Sequence, residues 1–478
     1  MALLDRFPRQ LFSPRGWGLL AAGAVSLVAA QIMGRRDLLS LSVLLIVLPL
    51  IALAGIRLVK PRFQVYREFN PSPVETSAPT TVRLAVTRSG AGGGRAIMEE
   101  KLPARFGESP AFRFPARSAT GGASRYEYHL NSTKRGQYPI GPVTAEFTDP
   151  FGLSLRRQAI DDGDVLTVTP AAVELPVTGL AGARGNDGIT ATRTRANPSD
   201  DDVMTREYRA GDPMRRVHWA ATARHGALMV RQEESVTTPE ATVILDQRLA
   251  AFSGGTASGF GGTQAVEARD MASSGTFEWA VVAAMSICTH LAERNYALRL
   301  LDPRGEPAFL RSPSAPEPEA EEFTGAAGLQ SIAESLAAIQ LSGPHHGPRD
   351  RHTGKEGHPR DRGGHDSGPA VFDDQLMDKL SAHRMRGPVI AVLGRISLAE
   401  AKALAPGAGY GANAFAMIVS DRPAESEEAL EALRRGGWRA VAVQSSVPVP
   451  VAWSCFDEGG AATATAAADV RRGAGVGR

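Results

Sequence analysis

Two long apolar runs lie close together near the amino terminus, and they constrain the fold more than any other feature. Residues 17–33 carry no charge, and residues 38–59 are apolar except for Arg57. Helices of this length can cross a hydrocarbon core about 30 Å thick. A four-residue turn, 34–37, separates them. The runs therefore predict a hairpin of two transmembrane helices, and residues 1–60 are assigned to a membrane anchor.

Cationic residues around the two runs set the predicted orientation. Three arginines precede the first run, four Lys or Arg residues lie at or just after the end of the second (Arg57, Lys60, Arg62 and Arg67), and only Arg35 and Arg36 lie between the runs. Lys and Arg are retained on the cytoplasmic side of a membrane. A two-span protein of the inner or plasma membrane with both termini in the cytoplasm is therefore expected. A cleaved signal peptide is the alternative, but the second run follows too closely to favour it.

Composition excludes several classes of protein. The net charge of +2 provides no basic field for a nucleic acid, so no nucleic-acid partner is expected. The only two cysteines are Cys288 and Cys455, which excludes a framework of several disulfides. Both cysteines are expected to be packing residues.

Short β-branched runs separated by turn residues follow the anchor and predict a small all-β, sandwich-like domain over residues 61–180. This region contains two turn motifs, KRGQYPIGPV at 134–143 and DPFGL at 149–153. We interpret both as turns whose apolar residues pack into the core, and we assign them no catalytic role. The predicted strands include 81–88, 125–130, 143–148 and 165–170.

Apolar strands alternate with helices in the carboxyl-terminal half and predict a doubly wound, mainly parallel α/β domain over residues 241–455. Low-complexity insertions at 253–274 and 342–369 and a tail at 456–478 are expected to be disordered. Capture of a metal by the histidines of the second insertion is the less favoured interpretation. The predicted strands are 241–246, 296–302, 387–394, 414–420 and 438–444, and the predicted helices are 277–295, 328–341 and 425–437.

A dense run of charged and aromatic residues, REYRAGDPMRRVHWAATARHGALMVRQEE, occupies residues 206–234. Asp212 is a favourable helix N-cap and Gly226 a favourable C-cap, so the run predicts a turn, a short helix, a turn and a strand. It is the centre of a linker element, 181–240. In the simplest interpretation its arginines pair with nearby carboxylates and Trp219 packs against a sheet.

An exposed docking surface for a protein partner is the alternative interpretation of this run. No Ser or Cys lies beside His218 or His225, which argues against nucleophilic catalysis, and these two histidines have no Cys or carboxylate with metal-ligand spacing. No catalytic residue is therefore assigned, and no enzyme activity is predicted. The candidate binding residues are Tyr208, Gly211, Asp212, Arg215, Arg216, Trp219 and Arg224.

The spacing within this run carries a family resemblance. Its residues are Tyr208, Gly211, Asp212, Arg215, Val217, Trp219, Ala223, Arg224, Leu228, Val230 and Glu234. In this spacing the run resembles the signature of the domain of unknown function 58 family. The resemblance implies a bacterial membrane-anchored protein with a von Willebrand factor A-like domain. It also implies a MoxR-type AAA+ ATPase as a partner, and possible association with a transglutaminase-like membrane protein.

The same resemblance directs attention to Asp246, which ends the first predicted strand of the α/β domain. In von Willebrand factor A domains this position begins an Asp-x-Ser-x-Ser cation site, and Mg²⁺ is suited to such oxygen ligands. Here the run is Asp246-Gln247-Arg248-Leu249-Ala250, which lacks both serines and adds a positive charge. The site is degenerate, and no cofactor is expected.

Together these features favour a membrane-anchored scaffold or adaptor that works with a MoxR-type ATPase through its cytoplasmic α/β domain. A metal-dependent enzyme or an adhesion module that uses the strand end at Asp246 is the alternative. The expected partners are the lipid bilayer and the proteins named above.

Overall fold

A computed structural model of the chain describes two compact units. The first comprises Met1–Ala171, Arg311–Pro318 and Ser331–Ile339, and the second comprises Ala172–Leu310, Glu319–Gln330 and Gln340–Arg478. Within these bounds, the described residues are 11–58, 62–89, 96–115, 123–177, 205–208, 214, 217–231, 239–252, 272–343, 371–382 and 387–456. Nearly all residues of the predicted insertions and of the predicted tail lie outside this set; Phe456, the first residue of the tail, is described and buried.

The first unit begins with a hairpin of two helices, α1 (Pro14–Met33) and α2 (Arg36–Leu58). The Ser13 hydroxyl accepts a hydrogen bond from the Gly16 amide at 3.2 Å and caps α1 at its start. Gly34 ends α1 in the left-handed conformation, with φ of 64°. The helices pack closely, since a Cβ at Gly23 would lie 2.7 Å from Ile46 on α2.

Both helices of the hairpin are long and apolar enough to cross a membrane. Only 17% of the apolar window of α1 and 11% of that of α2 is buried, so neither resembles the buried core helix of a soluble fold. The predicted pair of apolar helices is confirmed, and their exposed apolar surfaces suit a lipid environment.

Ten strands follow the hairpin among the described residues of the first unit, and the strands predicted for this region are among them. They are β1 (Arg62–Asn70), β2 (Val74–Glu75), β3 (Pro79–Ser89), β4 (Ala96–Glu100), β5 (Ala111–Phe114), β6 (Ala123–Asn131), β7 (Gly136–Ile140), β8 (Val143–Thr148), β9 (Leu155–Ala159) and β10 (Asp164–Thr169). They form three sheets, in the orders β1-β3-β6, β2-β10-β7 and β5-β4-β8-β9. All pairings are antiparallel except that of β2 with β10.

Along β3, buried side chains alternate with more exposed ones, and the buried side chains show how the sheets form their core. Val82, Leu84 and Val86 lie on one face, and all are at most 1% exposed. Leu84 and Val86 pack with residues of β4, β5 and β8, whereas Val82 packs with residues of β2, β7 and β10. One face of the β1-β3-β6 sheet therefore covers both other sheets.

An arginine with several carboxylate partners lies buried among these strands. The Arg67 side chain is fully buried and contacts Glu100 at 2.5 Å, Asp161 at 2.7 Å and Asp164 at 2.6 Å. The Tyr128 hydroxyl donates to the other oxygen of Glu100 at 2.7 Å. Burial alone would lower the pKa of Arg67, but these carboxylates outweigh it and raise that pKa. The network ties β1, β4, β6 and β10 together.

The motif at 134–143 has the structural role predicted for it. Tyr138 and Ile140 are core residues, at 8% and 0% exposure. In addition, the buried Arg135 guanidinium donates to the carbonyl oxygens of Leu336 at 2.7 Å and Ile339 at 2.9 Å. A guanidinium that satisfies carbonyls at a helix end is a structural group, since helix carboxyl ends leave acceptors unpaired.

The second unit contains a two-stranded and a six-stranded sheet with helices between the strands. Its elements are β11 (Thr205–Glu207), α3 (Trp219–His225), β12 (Met229–Arg231), β13 (Glu240–Leu245), α4 (Leu249–Phe252), α5 (Gly275–Ala292), β14 (Ala297–Leu301), β15 (Glu322–Phe323), α6 (Gly325–Ala337), α7 (Asp374–Ala382), β16 (Val389–Leu393), α8 (Leu398–Leu404), β17 (Ala414–Val419), α9 (Glu427–Arg435), β18 (Arg439–Val443) and α10 (Val449–Ser454). The second half of α6 is grouped with the first unit.

The large sheet has the order β15-β14-β13-β16-β17-β18, and its strands are parallel apart from the short edge strand β15. The predicted α/β architecture with a parallel sheet is confirmed. The sequence did not predict β15 or helices α4, α7, α8 and α10, because each is short or lacks a long apolar period. Helix α5 is buried along most of its length, and burial raises the pKa of its Cys288 to about 12.

A buried histidine near the end of α5 has an unusual environment. His290 is 3% exposed, its ring lies 5.6 Å from the Trp453 ring in a T-shaped arrangement, and its Nε2 atom has no partner among the described residues. Burial, with a smaller contribution from Arg294, lowers the pKa of His290 to about 4, although a backbone hydrogen bond with Leu175 opposes the shift. His290 is thus buried in its neutral form.

We expect His290 to make folding pH-dependent. Its folded pKa of about 4 lies below the usual histidine pKa of 6.5, so the unfolded chain binds the extra proton between these values and stability falls as pH drops below 6.5. Between pH 7.5 and 5 the free energy of unfolding of the full chain in detergent should fall by about 2 kcal/mol more than that of His290→Phe. Equal pH profiles for the two proteins would contradict this assignment.

Removal of the buried arginine should be strongly destabilising. Arg67→Met leaves the fully buried Glu100 without its counter-charge, and we expect a loss of about 3–5 kcal/mol in the free energy of unfolding. Arg83→Met is the matched control, because Arg83 pairs with Glu127 at 3.9 Å with both side chains more than half exposed. The control should cost less than about 1 kcal/mol. Similar losses for both variants in chemical denaturation would refute the role of the network.

Candidate functional site

The strand order of the large sheet identifies where a ligand would bind in a fold of this class. From β13 the chain passes to β14 on one side, and its next parallel strand, β16, pairs with β13 on the other side. Ligands of open α/β sheets bind at this reversal of direction, outside the carboxyl ends of the strands. Asp246 directly follows β13, and Gly394 directly follows β16. These residues mark the candidate site.

The Asp246 carboxylate is fully buried and is held by the arginine two residues further along the chain. Arg248 Nε donates to Asp246 Oδ1 at 2.9 Å, and Arg248 Nη2 donates to Asp246 Oδ2 at 2.9 Å. The Arg248 backbone amide adds a third bond to Oδ1 at 3.0 Å, and the Gly394 amide approaches Oδ2 at 3.4 Å. Both carboxylate oxygens are therefore occupied by a forked guanidinium.

Further contacts hold the Arg248 guanidinium in place. Arg248 Nη1 forms an ion pair with Glu400, and the guanidinium lies 5.5 Å from the centre of the buried Phe372 ring. Burial alone would lower the pKa of Arg248, but hydrogen bonding and charge from Asp246 and Glu400 outweigh burial and raise it. Arg248 is thus a permanently charged group at the strand end.

Glu400 connects this ion pair to the helix that follows β16. Its second oxygen accepts a hydrogen bond from the Ser397 amide at 2.7 Å, and the Ser397 hydroxyl accepts one from the Glu400 amide at 3.2 Å. This reciprocal capping box begins α8. Burial alone would raise the pKa of Glu400, but the bond from Ser397 and the charge of Arg248 lower it overall. The loops after β13 and β16 are thereby joined.

The residues at this strand end do not fit a divalent cation. A cation ligated by Asp246 would need the carboxylate oxygens that Arg248 now occupies, and it would be repelled by the guanidinium. No group of three or more His, Cys, Asp or Glu residues that could hold a metal occurs in the described part of the chain. No step of a reaction can be derived through a metal here.

A small cleft lies beside the ion pair at the same edge of the sheet. It encloses about 300 Å³ that is open to solvent. Arg395 and Arg422 both contact Glu425, at 3.2 and 3.1 Å, so the cations of the cleft are already paired. Thr276 and Asp421, which are far apart in the chain, share this cleft. Its lining is Ala251, Phe252, Thr276, Arg395, Val419, Ser420, Asp421 and Arg422.

The dense run at 206–234 forms a small sheet with a helix. Strand β11 pairs antiparallel with β12, and the Tyr208 amide donates to the Leu228 carbonyl at 2.7 Å. Helix α3 ends at Gly226, which has φ of 70°, as predicted. Val217 forms a bridge with Val230, and both are buried. The predicted short helix and the strand after it are therefore present, and a further strand, β11, precedes the helix.

The predicted start of this helix is wrong. Val217 is in an extended bridge, and α3 begins at Trp219 with His218 as its N-cap. The His218 Nδ1 atom accepts a hydrogen bond from the Ala221 amide at 3.1 Å. The sequence favoured Asp212 because aspartate is a common N-cap, but Val217 pairs with β12 and therefore lies outside the helix. The ring nitrogen of His218 that faces α3 therefore has a structural role.

The predicted burial of Trp219 is also wrong. Trp219 is 67% exposed. Arg224 is exposed as well, and three of the carboxylates predicted to pair with the arginines, Asp212, Glu233 and Glu234, lie outside the described residues. Tyr208 is half-buried. Four other predicted binding residues, Gly211, Asp212, Arg215 and Arg216, lie outside the described residues.

Comparison with known families agrees with the resemblance seen in the sequence. Residues 204–274 match a family model described as "Protein of unknown function DUF58". The matched stretch contains the β11–α3–β12 element and strand β13 with Asp246. The match supports the domain of unknown function 58 family for this chain, whose described function is unknown. No curated protein matches the chain.

Titration with Mg²⁺ or Mn²⁺ should give no saturable binding to the full chain in detergent, because the Arg248 guanidinium occupies the Asp246 oxygens. Isothermal calorimetry provides the measurement, and Asp246→Ala provides the control. Tight binding to the original chain that Asp246→Ala abolishes would contradict this assignment.

Proposed function

We propose that this chain is a membrane-anchored scaffold or adaptor that presents its α/β unit to a cytoplasmic protein partner. The observation that carries the proposal is the exposed Trp219, held on the capped helix α3 within the stretch that matches the family model. Tryptophan is enriched among residues that dominate binding at protein interfaces. A rigidly positioned, exposed tryptophan therefore suits docking.

The ion pair between Asp246 and Arg248 at the end of β13 favours a binding function over a catalytic one. The Asp246 carboxylate is neutralised by Arg248, and the cations of the neighbouring cleft are paired with Glu425. A metal-dependent enzyme or an adhesion module would need that carboxylate free to bind a cation. The alternative function thus has no support from the geometry of this site.

The hairpin and its flanking charges support the proposed location. Both helices can cross a membrane, and Lys and Arg residues concentrate at the two outer ends of the hairpin. By the positive-inside rule, both termini and the α/β unit would lie in the cytoplasm of a two-span protein of the inner or plasma membrane. This orientation is the one in which a cytoplasmic partner can reach Trp219.

A MoxR-type AAA+ ATPase is the partner that we propose first, with a transglutaminase-like membrane protein as a possible further component. Both rest on the resemblance of the signature run to the domain of unknown function 58 family. The von Willebrand factor A-like character of the α/β unit has the same basis. The parallel sheet with helices between its strands is compatible with it.

The partner can be tested by co-purification. The full chain, immobilised in detergent, should retain a MoxR-type AAA+ ATPase from the same organism, and Trp219→Ala should weaken retention about 30-fold, the effect of losing a contact of about 2 kcal/mol. Val451→Ala is the matched control, since Val451 is another exposed apolar residue, at 49% exposure. Failure to retain the ATPase with and without ATP would refute the proposed partnership.

A further inference from the structure

The DPFGL motif at 149–153 forms a rigid turn that presents an aromatic side chain to its surroundings. The Asp149 carboxylate accepts hydrogen bonds from the amides of Leu153 at 2.9 Å and Ser154 at 3.1 Å. Gly152 has φ of 68°, a conformation that favours glycine. Leu153 is 5% exposed, whereas Phe151 is 65% exposed. The sequence predicted that both could pack inside, but only Leu153 does.

This turn is attached directly to the beginning of α1. The Ser13 amide donates to the Leu153 carbonyl at 2.9 Å, and the Ser13 hydroxyl donates to the Gly152 carbonyl at 2.6 Å. The approach is so close that a Cβ at Gly16 would lie 2.1 Å from the Leu153 oxygen. The 149–153 turn and the first helical turn of α1 therefore lie at the same level along the axis of α1.

The end of α2 is attached to the same region. Arg156 Nη1 donates to the Ile56 carbonyl at 3.4 Å, and Ile56 packs against the core formed by β3, β4, β5 and β8. The hairpin thus joins the β-strands of its unit through direct contacts at both of its outer ends. Phe151 is held at a fixed level relative to both helices.

Helix length places this level at the edge of a bilayer. Helix α1 has 20 residues and spans about 30 Å at 1.5 Å per residue, which equals the thickness of the hydrocarbon core. If α1 crosses the membrane, Ser13 and the attached turn lie at the boundary with the headgroups. Aromatic residues concentrate at this boundary, because their rings are apolar and their edges tolerate polar groups.

Other residues at this level have the composition of an interfacial belt. Trp17, one turn into α1, is 56% exposed, and its ring packs edge-on against Phe12 with 5.6 Å between centroids. Arg15 and Arg57, at the two outer ends of the hairpin, are also exposed. The turn that carries Phe151 is therefore attached to the end of α1 at which Phe12, Arg15 and Trp17 lie.

We propose that the turn at 149–153 is a third contact with the bilayer, in which Phe151 inserts into the headgroup boundary beside the hairpin. The partner is the lipid surface itself. This inference rests on the proposed anchoring of the hairpin. It follows that the β-strands of the first unit lie against the membrane surface and are not separated from it by a flexible linker.

Spin labels in reconstituted protein test the insertion. The full chain carrying Cys455→Ser is placed in vesicles of phosphatidylethanolamine and phosphatidylglycerol, and a nitroxide is attached at Phe151→Cys, Leu44→Cys or Val165→Cys. Cys288 is fully buried and stays unlabelled. Leu44 reports on the middle of α2, whereas Val165 is an exposed apolar residue of β10 and serves as the matched control.

The measurement is the accessibility of each label to oxygen relative to a water-soluble nickel complex. At position 151 the ratio should lie between the high value at 44 and the low value at 165. A value at 151 equal to that at 165, with 44 still in lipid, would overturn the insertion and leave the anchor intact. A low ratio at 44 as well would overturn both the insertion and the proposed anchoring.

Discussion

A buried carboxylate at the end of β13 must have a counter-charge, and the identity of that counter-charge determines what the α/β unit can do. A lone ionised Asp246 in this position would be strongly unfavourable. The chain supplies the charge itself through Arg248, which also binds Glu400 at the start of α8. The loops after β13 and β16 are joined where a fold of this class would bind a ligand. The function that we propose for this unit is therefore binding of a partner at its exposed surface.

The exposed surface of the second unit carries an aromatic side chain that is suited to binding a protein. Trp219 is exposed on a helix whose two ends are fixed, one by the ring of His218 and the other by Gly226. An aromatic side chain on such a helix loses little conformational freedom when it binds a partner. Its position in the family-matched stretch makes it the best candidate for a protein contact.

The first unit shows how the helical hairpin is attached to the β-strands that follow it. A domain that follows two membrane-spanning helices can hang from a flexible linker or be attached rigidly. Here Ser13, Gly16 and Arg156 provide direct bonds or close contacts between the hairpin and the strands, and the Arg67 network stiffens the strands themselves. Rigid attachment fixes both the tilt of the unit and the level of Phe151.

Much of the fold followed from periodicity in the sequence. Period-two runs identified strands such as β3 and β8, and continuous apolar runs identified β13 and β16, because burial of one or both faces imposes those patterns. Short elements such as α8 and β15 were missed, since a few residues carry no resolvable period. The candidate site was predicted only in its position, at Asp246.

The sequence by itself determined the apolar hairpin, the order of strands and helices, and the presence of a positive charge beside Asp246, because each depends on residues close together in the chain. Tertiary structure alone decided that Arg248 also reaches Glu400, that Trp219 is exposed, and that the turn carrying Phe151 lies beside α1. These outcomes depend on which surfaces meet across long separations in the chain, and composition and spacing do not specify such meetings.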